Sequence, residues 1–335
     1  MFVSALIAFV VAALGSWLLA RYSFALRLID VPNDRSSHST PTPRGGGIAV
    51  VVASIVGLIL LPAGIPVAFR ASLLPAASVA VVGLLDDRFG LSAKVRLALH
   101  LSAGLAVALT QIPVDLSRPT TLITPALAAA SIAWGTNLFN FMDGIDGIAG
   151  SEAVFVCAMA GLLIAGPDGR AAEGLCVVGA ASLGFLLLNW APARIFMGDV
   201  GSGFLGFLLA AFAFTTIWHH LIPLPVWLVI TSAFLVDASV TLFRRMVSGE
   251  RWWSAHRSHA YQHLSIRLGS HARATIAVQC VNILVLAPTA YFMTSHREFA
   301  WALCAVIIVL LFAVAMMLGA GRPRQSTRGA LESRL

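Results

Sequence analysis

The sequence predicts an all-α, polytopic membrane protein of about 10–11 transmembrane helices whose active-site loops gather on the cytoplasmic side. Three observations predict it. The 335 residues are 59% apolar and only 11% charged, which lies outside the range of soluble globular domains. Apolar runs recur along the whole chain, close to the roughly 20 residues that cross a bilayer as a helix. The basic residues are concentrated in alternate connections between those runs, as the positive-inside rule describes.

The runs are, in order, 2–20, 46–66, 71–86, 95–112, 120–138, 148–165, 172–190, 200–221, 223–243, 274–294 and 298–319. The third and sixth are short or interrupted, so ten crossings fit as well as eleven. All are continuously apolar, which argues against alternating strands. Arg21 follows the first run without a small-residue cleavage site, so that run reads as a retained helix. Eighteen of the 22 basic residues fall on the side that carries loops 21–45, 86–96, 139–148, 190–200 and 244–273 and the tail 322–335. Only Arg70, Arg118, Arg170 and Arg297 fall on the other. The rich side is therefore predicted cytoplasmic, with the N-terminus outside and the C-terminus inside. Residues 1–321 read as a single membrane domain and 322–335 as a basic tail.

The formal net charge of +7 is explained by orientation and anionic headgroups. Without a soluble basic domain, nucleic acid is excluded as a partner. Cys157, Cys176, Cys280 and Cys304 lie in apolar runs without paired spacing, so neither disulfide nor zinc is implied.

The polar patches carry the chemistry. In the first loop, Asp30 to Gly47, serine, threonine, Arg44 and three successive glycines suit phosphate oxygens, or form a plain connector. Next come Asp86 and Asp87. Adjacent carboxylates repel, so one of them needs a cation or a proton, and Arg88, Lys94 and Arg96 are at hand to neutralise them or to hold a diphosphate. Asn137, Asn140 and Asp143 are spaced to share one helical face, with Asp146 following. Their hard oxygens suit Mg2+, with Mn2+ as a substitute. Asn189, Phe196 and Asp199 lie in a glycine-rich segment that opens a long apolar helix, a place that favours anions, although Asp199 could be only that helix's cap. In the last loop His256, His259 and His263 fall at i, i+3 and i+7, one face if the segment is helical. They could bind phosphate, move protons or ligate a metal, zinc being the weaker option for want of a fourth ligand. Trp252 and Trp253 read as interface anchors. His38, His100, His219, His220, His271 and His296 show no comparable grouping.

In this order the patches resemble the polyprenyl-phosphate N-acetylhexosamine-1-phosphate transferase family, from about Asp30 to Gly269. The resemblance rests on Asp86-Asp87 with Ser92 and Lys94, on Asn-x-x-Asn-x-x-Asp-Gly-x-Asp-Gly from Asn137 to Gly147, and on Asn189, Pro192 and Phe196 to Ser202. It continues through Asp237, Arg244-Arg245 and the histidine loop. It implies a ten- to eleven-helix bundle that moves an N-acetylhexosamine 1-phosphate from a UDP-sugar to undecaprenyl phosphate and releases UMP. By resemblance, Asn140, Asp143 and Asp199 hold Mg2+ and diphosphate, and Asp86 or Asp87 is the base or nucleophile, with direct and covalent routes both open. Lys94, Arg44 and the histidine loop (His256, His259, His263) meet phosphate, while Asn137, Asp146, Asn189 and Phe196 serve substrate, the phenylalanine by stacking on uracil. The setting is the bacterial inner membrane with its lipids, and a homodimer is allowed.

The family's last motif is commonly His-His-His or His-x-His-His, whereas here it reads His259-Ala-Tyr-Gln262-His263. That loop looks more like the branch that initiates O-antigen than the peptidoglycan branch. The rival class is an ion-coupled transporter or flippase, which would place its carboxylates near the midplane on a repeat; no repeat is visible.

Overall fold

The structure, a computed structural model, describes residues 2–26, 28–30, 32, 40–115, 117–250 and 256–322. Arg35 and His38 of the first loop, Trp252 and Trp253, and the tail beyond Arg322 lie outside the described residues. Each apolar run forms helix. The elements are α1 (Phe2–Leu26), a small hairpin of β1 (Ile29–Asp30) and β2 (Thr42–Pro43), α2 (Gly47–Ile59), α3 (Val67–Phe89), α4 (Ala93–Leu109) and α5 (Ile123–Phe141). Then follow α6 (Ile148–Ile164), α7 (Gly169–Asn189), α8 (Gly198–Trp218), α9 (Leu224–Ile230), α10 (Ser232–Val247) and α11 (Ala260–Arg267). The last three are α12 (His271–Val281), α13 (Ala287–Ser295), joined to α12 by a π-turn over Asn282–Leu286, and α14 (Ala300–Leu318).

Among the described residues seven helices are long and apolar enough to cross a membrane, or eight if α9 and α10 count as one span. The ten or eleven runs counted in the sequence therefore divide unequally. α2, α4 and α6, with 13, 17 and 17 residues, are shorter than any of those seven. At about 1.5 Å per residue the first of these reaches only about 20 Å, and a full crossing needs about 30 Å. The ninth run is bent by 81° between Ile230 and Ser232. At the break, the Thr231 hydroxyl donates to the Trp227 carbonyl at 2.8 Å, and the Trp227 indole donates to Thr216 on α8 at 2.8 Å.

α8 is the axis of the bundle. Of its apolar window 78% is buried, against 17% for the C-terminal span. It packs on α2, α3 and α5, while α7 packs on α1 and α6. Two close backbone approaches bring the polar ends of these helices together. A Cβ on Gly83 of α3 would lie 2.3 Å from the Asp199 carbonyl oxygen, and one on Gly47 would lie 2.3 Å from the Gly201 Cα. Only glycine permits either approach. Gly83→Ala should therefore force α3 off the start of α8, costing about 1–3 kcal/mol of stability and more than tenfold in activity. Melting and turnover measured on the same preparation check this, and parent-like values for both would refute it.

Candidate active site

One end of the bundle collects the C-terminal ends of α3 and α5, the N-terminal ends of α2, α4 and α8, and the hairpin. Backbone bonds fix the first loop there. Phe196 N donates to the Pro43 carbonyl (2.8 Å), and Gly46 N and Gly47 N donate to the carbonyls of Phe196 and Met197 (2.9 Å each). Arg44 is thereby aimed at the carboxylates.

Asp87 of α3 takes the cap position of another helix. Its carboxylate accepts from Asp199 N (3.0 Å) and Val200 N (3.2 Å), first-turn amides of α8 that have no intrahelical acceptor. Gly198, at φ +74°, starts that turn, and a Cβ there would lie 2.6 Å from Asp87 Oδ2. Arg44 Nη2 lies 2.6 Å from Asp87 Oδ1 and 3.5 Å from Asp199 Oδ1. Across the site Arg96 Nη1 pairs with Asp86 and lies 3.1 Å from Asp199 Oδ2. Asp86 also accepts from Leu91 N at 2.6 Å. The result is an alternating row, Asp87–Arg44–Asp199–Arg96–Asp86, with one negative charge in excess.

Asn140 donates to Asp199 Oδ1 (3.2 Å) and to the Ser202 hydroxyl (2.9 Å). Asp143, just past the end of α5, has no side-chain hydrogen bond or ion pair among the described residues. Burial pushes its carboxyl up to about 7, the charge of Asp199 adds to that shift, and Arg44 opposes it. Burial alone would lower the Arg44 pKa, but Asp87 and Asp199 hold the guanidinium above its ordinary value. Asn137 donates to the Ala133 carbonyl (2.6 Å) and meets His100 Nδ1 at 3.2 Å. With Arg96, Asn140 and Asp199 these two side chains line a small cleft.

Asp146 and Asn189 lie beside this row. Asp146 accepts from Ala193 N (3.1 Å), and His271 Nδ1 stands 3.3 Å from its other oxygen. Both ends of the buried Asn189 amide are occupied by backbone: it accepts from Gly147 N (3.1 Å) and donates to the Ile195 carbonyl (2.9 Å). The amide thus braces the loop that carries Phe196, which is half-buried. Lys94 is exposed and joins no ion pair among the described residues; the neutralising cations are Arg44 and Arg96.

The condition under which His256, His259 and His263 would share one face, a helical segment through all three, is not met. α11 starts at Ala260, so only His263 lies within it. His259 precedes the helix in extended backbone (φ −71°, ψ 150°), its ring stacked against His256 at 4.9 Å and against Tyr261 at 5.6 Å. The loop still reaches the site. Phe141 and His256 have ring centroids 6.5 Å apart, and the Tyr261 hydroxyl donates to the Phe141 carbonyl at 3.4 Å.

His100 and His271 lie outside the sequence motifs, and Ser202 closes one of them without a role of its own. His100 was accessible, being one helical turn after Arg96, but nothing local marks His271 as a partner for Asp146. No group of three His, Cys, Asp or Glu side chains is spaced to enclose a metal on its own among the described residues.

Fold and site together define a multi-pass membrane protein with a carboxylate–arginine centre at one end of its bundle. The sequence profile of glycosyl transferase family 4 matches residues 69–217. The chain is 27% identical to a probable undecaprenyl-phosphate N-acetylglucosaminyl 1-phosphate transferase of Bacillus subtilis, covering 83% of this chain and 82% of that one. It is 28% identical to a decaprenyl-phosphate N-acetylglucosaminephosphotransferase of Mycobacterium tuberculosis (85% and 80% covered). To an Escherichia coli undecaprenyl-phosphate alpha-N-acetylglucosaminyl 1-phosphate transferase it is 27% identical (85% and 82%). Over most of its length the chain is thus similar to polyprenyl-phosphate N-acetylglucosamine-1-phosphate transferases.

Proposed function

We propose that the protein transfers an N-acetylhexosamine 1-phosphate from a UDP-sugar to undecaprenyl phosphate at the cytoplasmic face of a bacterial inner membrane, releasing UMP. The product is a lipid diphosphate sugar that starts O-antigen or a similar surface polysaccharide. The observation that carries this reading is the row of Asp87, Arg44, Asp199, Arg96 and Asp86 beside Asp143, which has no ion pair among the described residues, with an apolar bundle behind it.

Guanidinium groups bind phosphate oxygens in the same bidentate manner as carboxylates. Incoming phosphates therefore compete for Arg44 and Arg96. That competition releases oxygens of Asp86, Asp87 and Asp199, which in the resting row are held by cations. A carboxylate of the Asp86–Asp87 pair then takes the acceptor's proton or attacks phosphorus. Asp146 and Phe196 hold the nucleotide. His259 and His263, on the loop that packs at Phe141 and Gly144, meet phosphate.

Asp199, Asn140 and Asp143 offer hard oxygens, and the excess negative charge there needs a cation. This fits Mg2+ (or Mn2+), which is usually held by one or two carboxylates together with substrate phosphates rather than by an all-protein cage. Bound Mg2+ would offset diphosphate charge and align the reacting groups. The polar row at one end of the bundle, rather than at mid-depth, favours the transferase over an ion-coupled transporter.

The test presents purified protein, Mg2+ and undecaprenyl phosphate with a panel of UDP-N-acetylhexosamines and follows UMP. Lipid-dependent UMP release with at least one donor is expected; no release across the panel would overturn the reading. Orientation is tested separately. Ser248, in the basic loop after α10, and Pro167, before α7, are both exposed. In intact cells an impermeant thiol reagent should miss Ser248→Cys and label Pro167→Cys. The reverse pattern would put the site on the outer face.

A further inference from the structure

Asp237 belongs to the resembling motifs, yet the proposed chemistry leaves it without a role. It lies on α10, six residues after the 81° bend, and is only 6% exposed. An ionised carboxylate enclosed in a membrane bundle persists only when donors surround it. Here the donors come mostly from another element. Asp237 Oδ1 accepts from Ala260 N (2.8 Å) and Oδ2 from Tyr261 N (2.9 Å), and the Thr241 hydroxyl adds a third bond at 3.1 Å.

Ala260 and Tyr261 open α11, so these amides have no acceptor within their own helix. A carboxylate beside them also meets the positive end of the helix dipole. His259 is fixed by the same junction. Its own N–H donates to Gln262 Oε1 (3.2 Å), its Nδ1 stands 3.4 Å from Asp237 Oδ1, and its ring lies between those of His256 and Tyr261. On the far side the Tyr261 hydroxyl reaches the Phe141 carbonyl, two residues before Asp143. At Gly144 a built Cβ would lie 2.2 Å from that hydroxyl, so the loop sits directly on the backbone after Asp143.

We propose that Asp237 is a positioning residue that docks the N-terminus of α11 onto α10 and so holds His259 at the Asn140–Asp143 end of the site. The kinetic part rests on the transferase reading above; the docking part does not.

Both parts are tested with Asp237→Asn, which keeps the volume and removes the charge. In lipid nanodiscs, amide exchange at Ala260 and Tyr261 should rise at least about tenfold, while α3 and α8 keep parent protection. Turnover should fall about 10- to 100-fold with KM for the UDP-sugar within about twofold. In a His259→Ala background the same substitution should cost less than about threefold more, because the two residues act as one unit. A general loss of structure would instead multiply the two effects. If Asp237→Asn does not survive purification, Ala260→Pro probes the same bond from the loop side. Proline is tolerated at the first helical position, and the extended His259 backbone suits a following proline. It should lower turnover in the same non-additive way. Unchanged exchange at Ala260 and Tyr261, or multiplicative losses with His259→Ala, would overturn the proposal. Absence of UMP release by the parent would sink the transferase reading alone, since the exchange result still decides the docking.

Discussion

Asp199→Asn should lower the proposed sugar-phosphate transfer by about 10^2- to 10^3-fold and leave the fold intact. Asp199 sits at the centre of the row, 3.5 Å from Arg44 and 3.1 Å from Arg96, and receives a hydrogen bond from Asn140. It is the most exposed of the three paired carboxylates, at 25% against 8% for Asp86 and 2% for Asp87. That exposure makes it the carboxylate most open to the phosphates and Mg2+ of the proposed reaction. Losing one preorganised charge at a reacting phosphate costs on this scale. Stability should change by less than about 1 kcal/mol, because each arginine keeps its outer partner and the asparagine still accepts from Asn140. Turnover at limiting Mg2+, with melting followed in parallel, checks both halves. Near-normal turnover at limiting Mg2+ would remove Asp199 from the site.

Asp87→Ala should fail differently, through structure first. The Asp87 carboxylate serves two amides of α8 and the Arg44 guanidinium, and only 2% of its side chain is exposed. Truncation leaves Asp199 N and Val200 N without an acceptor and Arg44 facing Asp199 alone. Breaking a buried ion pair from one side costs about 3–5 kcal/mol; Arg44 is one-third exposed, so about 3 kcal/mol is the better figure. The start of α8 should then loosen, and activity should fall at least about 10^2-fold. Raising Mg2+ should not restore it. A variant with parent stability and lost activity would instead make Asp87 a group that acts only on substrate.

The eleven helical stretches were legible because length and apolarity are local properties of the chain. The break in the ninth was not, since Ile230-Thr231-Ser232 contains neither proline nor glycine. Its bend is held by Thr231, Trp227 and Thr216, the last of them on another helix. The site was legible as three carboxylate patches on one side of the bundle, but their pairing depends on tertiary approach. Arg88, Lys94 and Arg96 were equivalent as sequence, and the phase of α4 selects Arg96 while Lys94 stays exposed. The histidines misled for the same reason. Their spacing matched a helical face, but α11 begins at Ala260, where Asp237, more than twenty residues earlier in the chain, accepts its first amides.

In the proposed reaction the sugar leaves the nucleotide together with a phosphate. UDP-sugar labelled at the β-phosphorus, incubated with purified protein, Mg2+ and undecaprenyl phosphate, tests it directly. The label is expected to move into the lipid fraction as a diphosphate sugar, with unlabelled UMP appearing in equal amount. Label retained in released UDP, or a lipid product without it, would rule out transfer of a sugar phosphate.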